Sequence, residues 1–131
     1  MSTTLHQEIT FNAPKSTVFE AYTNAEQHSK FTDATAVITA EQGDRFSVHD
    51  NKIEGCNIEV IKDELIVQAW RPANWPNGNY SVVKLTFSEK KGNCVITLEQ
   101  TGIPEGGVEH LDEGWNKMYW EPLKVWLVDN A

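Results

Sequence analysis

GWNKMYWEPLKVWL, residues 114–127, carries three of the chain's five tryptophans, together with a tyrosine, a methionine and a proline. The segment around it, roughly Val108 to Val128, repeats with helical period. Val108, Leu111, Trp115, Met118, Tyr119, Pro122 and Trp126 fall on one side at about 100° per residue, and Glu109, Glu113, Asn116, Lys117 and Lys124 on the other. Trp120 and Leu127 lie on one flank of the stripe. About 20 residues of helix make a rod of roughly 30 Å. Pro122 interrupts it, because proline has no N–H to donate and its ring crowds the preceding turn. The spacing therefore predicts a kink that opens a gap next to Tyr119 and Trp126. So large an aromatic stripe needs an apolar surface to cover it.

The rest of the chain supplies one. LHQEITF (residues 5–11) alternates, with Leu5, Ile9 and Phe11 on one parity, as a half-buried strand does. NAPKSTVFEAYTN then reads as a short helix opened by Pro14, with Asn12 as a candidate cap and Val18, Phe19 and Tyr22 as its apolar stripe. NAEQHSKF reads as a second short helix, capped by Asn24 with Gln27 three residues on. From there the period is two. TAVITA, DRFSVHD, KIEGCNIEVIK, ELIVQAW, NYSVVKLTFSE and NCVITLEQT are strand-like, separated by short turn signals such as Asn77-Gly78 and Lys91-Gly92. Short connections make antiparallel neighbours. Val83, Leu85 and Phe87 share a face with Ser81, and Cys94, Ile96 and Leu98 share another, and these faces are expected inward. Residues 64–70 are apolar on both parities, so alternation leaves their orientation open. The layout is α+β: a curved antiparallel sheet of six to seven strands, two short helices after the first strand, and a long C-terminal helix gripped by the concave face.

Composition narrows the function. At 131 residues the chain suits a single domain, residues 1–131, able to bury about two thirds of the surface its unfolded form exposes. Its 40% hydrophobic and 23% charged residues are those of an ordered globular protein. A net charge of −8 argues against nucleic acid, whose phosphates need Lys and Arg, and against anionic membrane surfaces. Neither a signal peptide nor an apolar run of membrane-spanning length is expected, which places the chain in the cytoplasm. Cys56 and Cys94 then read as free, buried thiols, with a disulfide the minority reading.

Four stretches carry a resemblance. VFEAYTNAEQHSKFT, IVQAWRPANWPNGNYSVVKLTF, LEQTGIP and GWNKMYWEPLKVWL together resemble the AHSA domain, the C-terminal domain of the activator of the ninety-kilodalton heat-shock chaperone's ATPase. The resemblance covers about residues 5–127. It implies the helix-grip fold shared with START lipid-transfer domains, in which members commonly enclose a cavity between sheet and helix. It also implies a heat-shock chaperone as an alternative partner. The co-chaperones carry an additional N-terminal domain that makes much of that contact, so full ATPase activation is not expected of this stretch.

Catalytic constellations are nearly absent. His6, His28, His49 and His110 are scattered without metal-ligand spacing, and no metal or other cofactor is expected. There is no nucleophile elbow and no phosphate loop. The sequence reading is thus a non-enzymatic protein that holds a small apolar or amphipathic ligand between sheet and helix. The candidate contacts are Val83, Leu85, Leu98, Trp115, Met118, Tyr119, Pro122 and Trp126, with Gln100 or Arg71 to orient a polar head. The plainer alternatives are that the stripe is solid core and that Arg71 pairs with a carboxylate at the sheet's rim.

Overall fold

Along the first strand, β1 (Leu5–Phe11), Leu5, Ile9 and Phe11 are buried and their neighbours are not. The computed structural model, which describes residues 3–131, continues with α1 (Lys15–Thr23) and α2 (Ala25–Thr32). Five strands follow: β2 (Arg45–Val48), β3 (Ile53–Ile61), β4 (Leu65–Pro72), β5 (Ser81–Lys90) and β6 (Asn93–Thr101). They form one antiparallel sheet in the order β1-β6-β5-β4-β3-β2, so the first strand closes one edge against the last. The C-terminal helix and the two short helices cover one face of this sheet, and the fold is the helix grip.

The helix starts follow their residues unevenly. Asn24 caps α2 as expected, its side chain accepting from the Gln27 N–H at 3.0 Å. Asn12 does not cap α1. Pro14 itself holds the N-cap, extended at φ −63° and ψ 152°, and its carbonyl accepts from the Thr17 and Val18 N–H groups.

TAVITA is not a strand. Val37 makes one antiparallel bridge with Ser47, and the ladder stops there. Side chains take over the backbone groups a strand would need. The Thr39 hydroxyl donates to the Asp44 carboxylate at 2.8 Å and accepts from the Glu41 N–H, while Asn57 Nδ2 donates to the Thr39 and Glu41 carbonyls at 3.0 Å each. The sheet therefore has six strands.

The orientation that alternation left open is settled in β4, where Ile66, Gln68 and Trp70 are buried and Leu65, Val67 and Ala69 are half-buried. Val83, Leu85 and Phe87 of β5 and Cys94, Ile96 and Leu98 of β6 point inward with less than 2% exposure. Both cysteines are free, Cys94 buried and Cys56 half-buried, and burial pushes the Cys94 thiol up to about 12.

The C-terminal helix departs most from its sequence pattern. It runs as α3 (Val108–Trp115), a π-helical turn (Asn116–Trp120) and α4 (Glu121–Asp129). The wide turn closes with the Glu121 N–H on the Asn116 carbonyl, five residues back. Pro122, which cannot donate, then sits in the first turn of α4, where no intrahelical donor is needed. The extra residue per turn rotates everything downstream. Leu111 and Trp115 are buried as expected, but Met118 is 51% exposed, and the buried face continues through Tyr119, Trp120 and Leu123. Pro122 and Trp126, expected in the middle of the stripe, are half-buried at its margin. Where the straight-helix reading expects a kink at Pro122, the backbone makes a π turn just before it.

Candidate functional site

The widening at residues 116–120 builds an aromatic layer. In a π turn residue i comes over residue i+5 as well as i+4. Trp115 stacks on both Tyr119 (ring centroids 4.9 Å) and Trp120 (5.3 Å), and across the interface on Trp70 of β4 (5.5 Å). The layer is fixed by polar side chains at inward positions of the sheet. Trp115 Nε1–H donates to Gln100 Oε1 at 2.9 Å, Gln100 Nε2 to Ser81 Oγ at 2.9 Å, and Ser81 Oγ to the Trp70 carbonyl at 2.8 Å. Beside it, Trp120 Nε1–H donates to Gln7 Oε1 at 2.7 Å, and Gln7 Nε2 reaches the carboxylate and carbonyl of Asp112. Each bond satisfies a buried group that would otherwise lose its water without replacement.

A second polar cluster surrounds Tyr119. The His28 ring is buried, with Nδ1–H donating to the Tyr22 carbonyl at 2.7 Å, so its Nε2 accepts from the Tyr119 hydroxyl at 3.3 Å. Burial pulls the His28 pKa down to about 4, against the raising effect of the Tyr22 carbonyl. Tyr22 donates to Gln68, and Gln68 to Asn57. Burial also pushes both phenols, Tyr22 and Tyr119, far up. On its other side Tyr119 meets the ring of His49 at 4.6 Å.

Next to this layer lies a cavity of about 760 Å³, between α3, the start of β3, the end of β4 and the loops at residues 72–75 and 104–107. Its walls are mainly apolar: Trp70, Trp75, Leu111, Trp115 and Tyr119 inside, with Ile53 and Pro72 alongside. His49 is the buried imidazole in that wall, held in a turn with φ of 52°. Desolvation lowers its pKa, so it is neutral near physiological pH. Lys52, Glu105 and His110 stand exposed at the mouth.

Of the sequence-expected contacts, Trp115, Met118 and Tyr119 line this cavity. Val83, Leu85 and Leu98 are fully buried in the sheet's core and do not line it, and neither do Pro122 and Trp126. The space opens beside the first half of the helix, away from the proline. Gln100 spends its amide on Trp115 and Ser81. Arg71 is 5% exposed, with Nη1 on Glu54 Oε2 at 2.5 Å, Nε on the Asn79 carbonyl at 3.1 Å, and Nη2 on the carbonyls of Trp75 and Pro76. That is the carboxylate pairing at the rim, extended into a brace for the loop that carries Trp75. Sequence reasoning missed His49, Trp70 and Trp75 as cavity residues. The one available signal was the Trp-Arg-Pro to Trp-Pro run, which places two indoles around a turn.

The chain matches the family described as Activator of Hsp90 ATPase homolog 1-like protein over residues 12–127. The human protein named Activator of 90 kDa heat shock protein ATPase homolog 1 is 30% identical over 115 residues, covering 88% of this chain and 34% of that protein. The chain thus spans about a third of the length of the curated relatives it matches. The crystal structure of an HSP90 activator from Plasmodium falciparum superposes with a TM-score of 0.88 at 26% identity, covering 96% of both chains. A Mesorhizobium loti protein superposes at 0.81 with 18% identity, covering 98% of each, a likeness of fold alone.

Proposed function

The chain belongs to the family of Activator of Hsp90 ATPase homolog 1-like proteins, and from that premise we propose that it acts as a cytoplasmic, non-enzymatic binding protein for a small apolar or amphipathic molecule. The observation that carries this reading is the cavity of about 760 Å³ walled by Trp70, Trp75, Trp115 and Leu111. Its size lies in the range of small-molecule sites, which are concave, mostly apolar and equipped with few polar groups. The buried titratable side chains in its wall, His49 and Tyr119, are both held neutral by desolvation, so they present no charge to an apolar ligand near neutral pH. Tryptophan fluorescence followed during titration with fatty acids, sterols and flat aromatics is expected to shift saturably with at least one class. Trp75→Ala, which strips a half-buried wall, is expected to weaken that binding by about tenfold. No response to any class would remove the reading.

A second reading is favoured by the relatives. The human protein is named as an activator of the ninety-kilodalton chaperone's ATPase and the Plasmodium protein as an HSP90 activator, and the latter superposes over 96% of its length. On this reading the domain binds that chaperone and raises its ATPase rate. The chaperone's turnover with and without this protein, alongside titration calorimetry, measures it. An unchanged rate with no heat of binding eliminates the partner.

A further inference from the structure

Gly114 stands inside the C-terminal helix, near the end of α3 and just ahead of the π turn. Glycine is the least favourable residue but proline at such a position, because it loses the most backbone freedom on folding. Nothing in the fold asks for it. A Cβ on Gly114 would meet no atom within 4 Å. The other glycines each have a reason: five hold a positive φ, a Cβ on Gly55 would strike the Ala69 carbonyl, and one on Gly107 would crowd Ile103 and Pro104. The π turn does not require Gly114 either, because Trp115, which opens that turn, keeps ordinary helical angles of φ −59° and ψ −41°. The open space beside Gly114 belongs to the cavity, whose wall along the helix includes His110, Leu111, Gly114 and Met118, spaced as one helical face.

From this we propose that Gly114 is the specificity-determining residue of the cavity: the bound molecule lays an uncharged, apolar part against the helix backbone there, in the volume that any other side chain would fill. The inference rests on the reading of the cavity as a ligand site. The apolar character follows from the wall. Backbone N–H and C=O groups inside a helix are spent along its axis, which leaves the Cα–H groups of Gly114 as the contact offered. Leu111 and Met118 flank it on the helix, and the half-buried Ile53, Pro72 and Trp75 line the cavity from β3, β4 and the loop that follows. The charged side chains of the lining, Lys52 and Glu105, have opposite sign and stand exposed at the mouth, so a charge carried in to Gly114 would find no counter-ion. A side chain at this position would hold the ligand off the helix by at least the width of a methyl group. Glycine therefore sets the depth of the cavity here, at the expense of helix stability.

Diphenylhexatriene tests it, an uncharged apolar rod that is dark in water and fluoresces in apolar surroundings. It is expected to bind the wild-type protein saturably. Gly114→Ala should raise the melting temperature by about 3 °C, because alanine is the better helix former, and yet weaken the probe's affinity by about threefold. Gly114→Leu, which fills the space, should weaken it by about thirtyfold. Glu113→Leu adds the same side chain one residue earlier, at an exposed position outside the cavity, and should leave the affinity unchanged. A glycine kept for structure alone gives the opposite sign, so a lower melting temperature in Gly114→Ala overturns the inference. Unchanged affinity in the two Gly114 variants, or an equal loss in Glu113→Leu, also overturns it and leaves the cavity as a binding site. No binding of the probe by the wild type overturns both. The alanine variant adds one methyl group to open space, so the test stands even where the leucine variant folds poorly.

Discussion

Replacing Trp115 by alanine is expected to destabilise the domain by about 4 kcal/mol and to lower its melting temperature by roughly 12–16 °C. Trp115 is 2% exposed and touches three aromatic rings. Truncation removes that stacking, leaves a void in a layer already bordered by a cavity, and strands Gln100 Oε1 without its donor. Trp115→Phe separates the contributions, because it keeps a ring and deletes the N–H. It should cost about 1–2 kcal/mol, mostly the unpaired Gln100 oxygen. Urea unfolding of the three proteins measures both numbers. A loss below about 1 kcal/mol for the alanine variant would mean that the stripe is not the centre of the grip.

The same experiment reads the helical phase. A straight α-helix buries Met118 and leaves Trp120 on the flank, whereas the π turn exposes Met118 and buries Trp120 to 1%. Met118→Ala should therefore stay within about 0.5 kcal/mol of wild type, while Trp120→Ala costs several times as much. The reverse order is incompatible with the turn at Asn116–Trp120.

This is also where the sequence stopped being legible. Strand alternation found β1, β5 and β6 with their inward faces, since Leu5, Ile9, Val83, Leu85, Ile96 and Leu98 each obey a period fixed by the pleat. Asn24 and Gln27 marked α2 because capping is local. A π turn is not local in that sense. Nothing in Asn116–Trp120 demands it, and it becomes favourable once Pro122 refuses its N–H and the sheet rewards burying Trp120. A reading at fixed 100° steps consequently misplaced Met118, Trp120, Pro122 and Trp126, while Tyr119 kept its expected place in the buried stripe. The polar core was visible only as a breach of pattern. Gln7, Gln68 and Gln100 occupy inward positions of strands, and each proved to be a clamp on an aromatic partner or a neighbouring amide. Cavity walls that come from loops, such as Trp75 held through Arg71, depend on contacts that no period encodes.

Acid is expected to cost the protein about 3 kcal/mol of stability through His28 alone, between neutral pH and about pH 4. In the unfolded chain its imidazole titrates near 6.5, and in the fold burial depresses that value to about 4. Between these values the unfolded state binds the proton and the folded state does not, so protonation favours unfolding. The contribution is fully present above about pH 6.5 and is lost as pH falls towards 4. The structural reason is burial, because a charged ring at His28 would lose its water. Its Nδ1–H is committed to the Tyr22 carbonyl, and a proton on Nε2 would require the Tyr119 hydroxyl to turn from donor to acceptor. His49, also depressed by burial and packed on the same tyrosine, pulls in the same direction. Unfolding free energies measured from pH 7 down to 4 should fall steeply in the wild type. His28→Gln should lower stability at neutral pH and flatten the slope over that interval, since glutamine keeps hydrogen-bonding capacity without titrating. An imidazole resonance of His28 that titrates above about pH 6 in the folded protein would contradict the assignment. Because Tyr119 belongs to both the acid-sensitive cluster and the cavity wall, loss of ligand affinity should accompany the loss of stability, and both should appear in the same pH window.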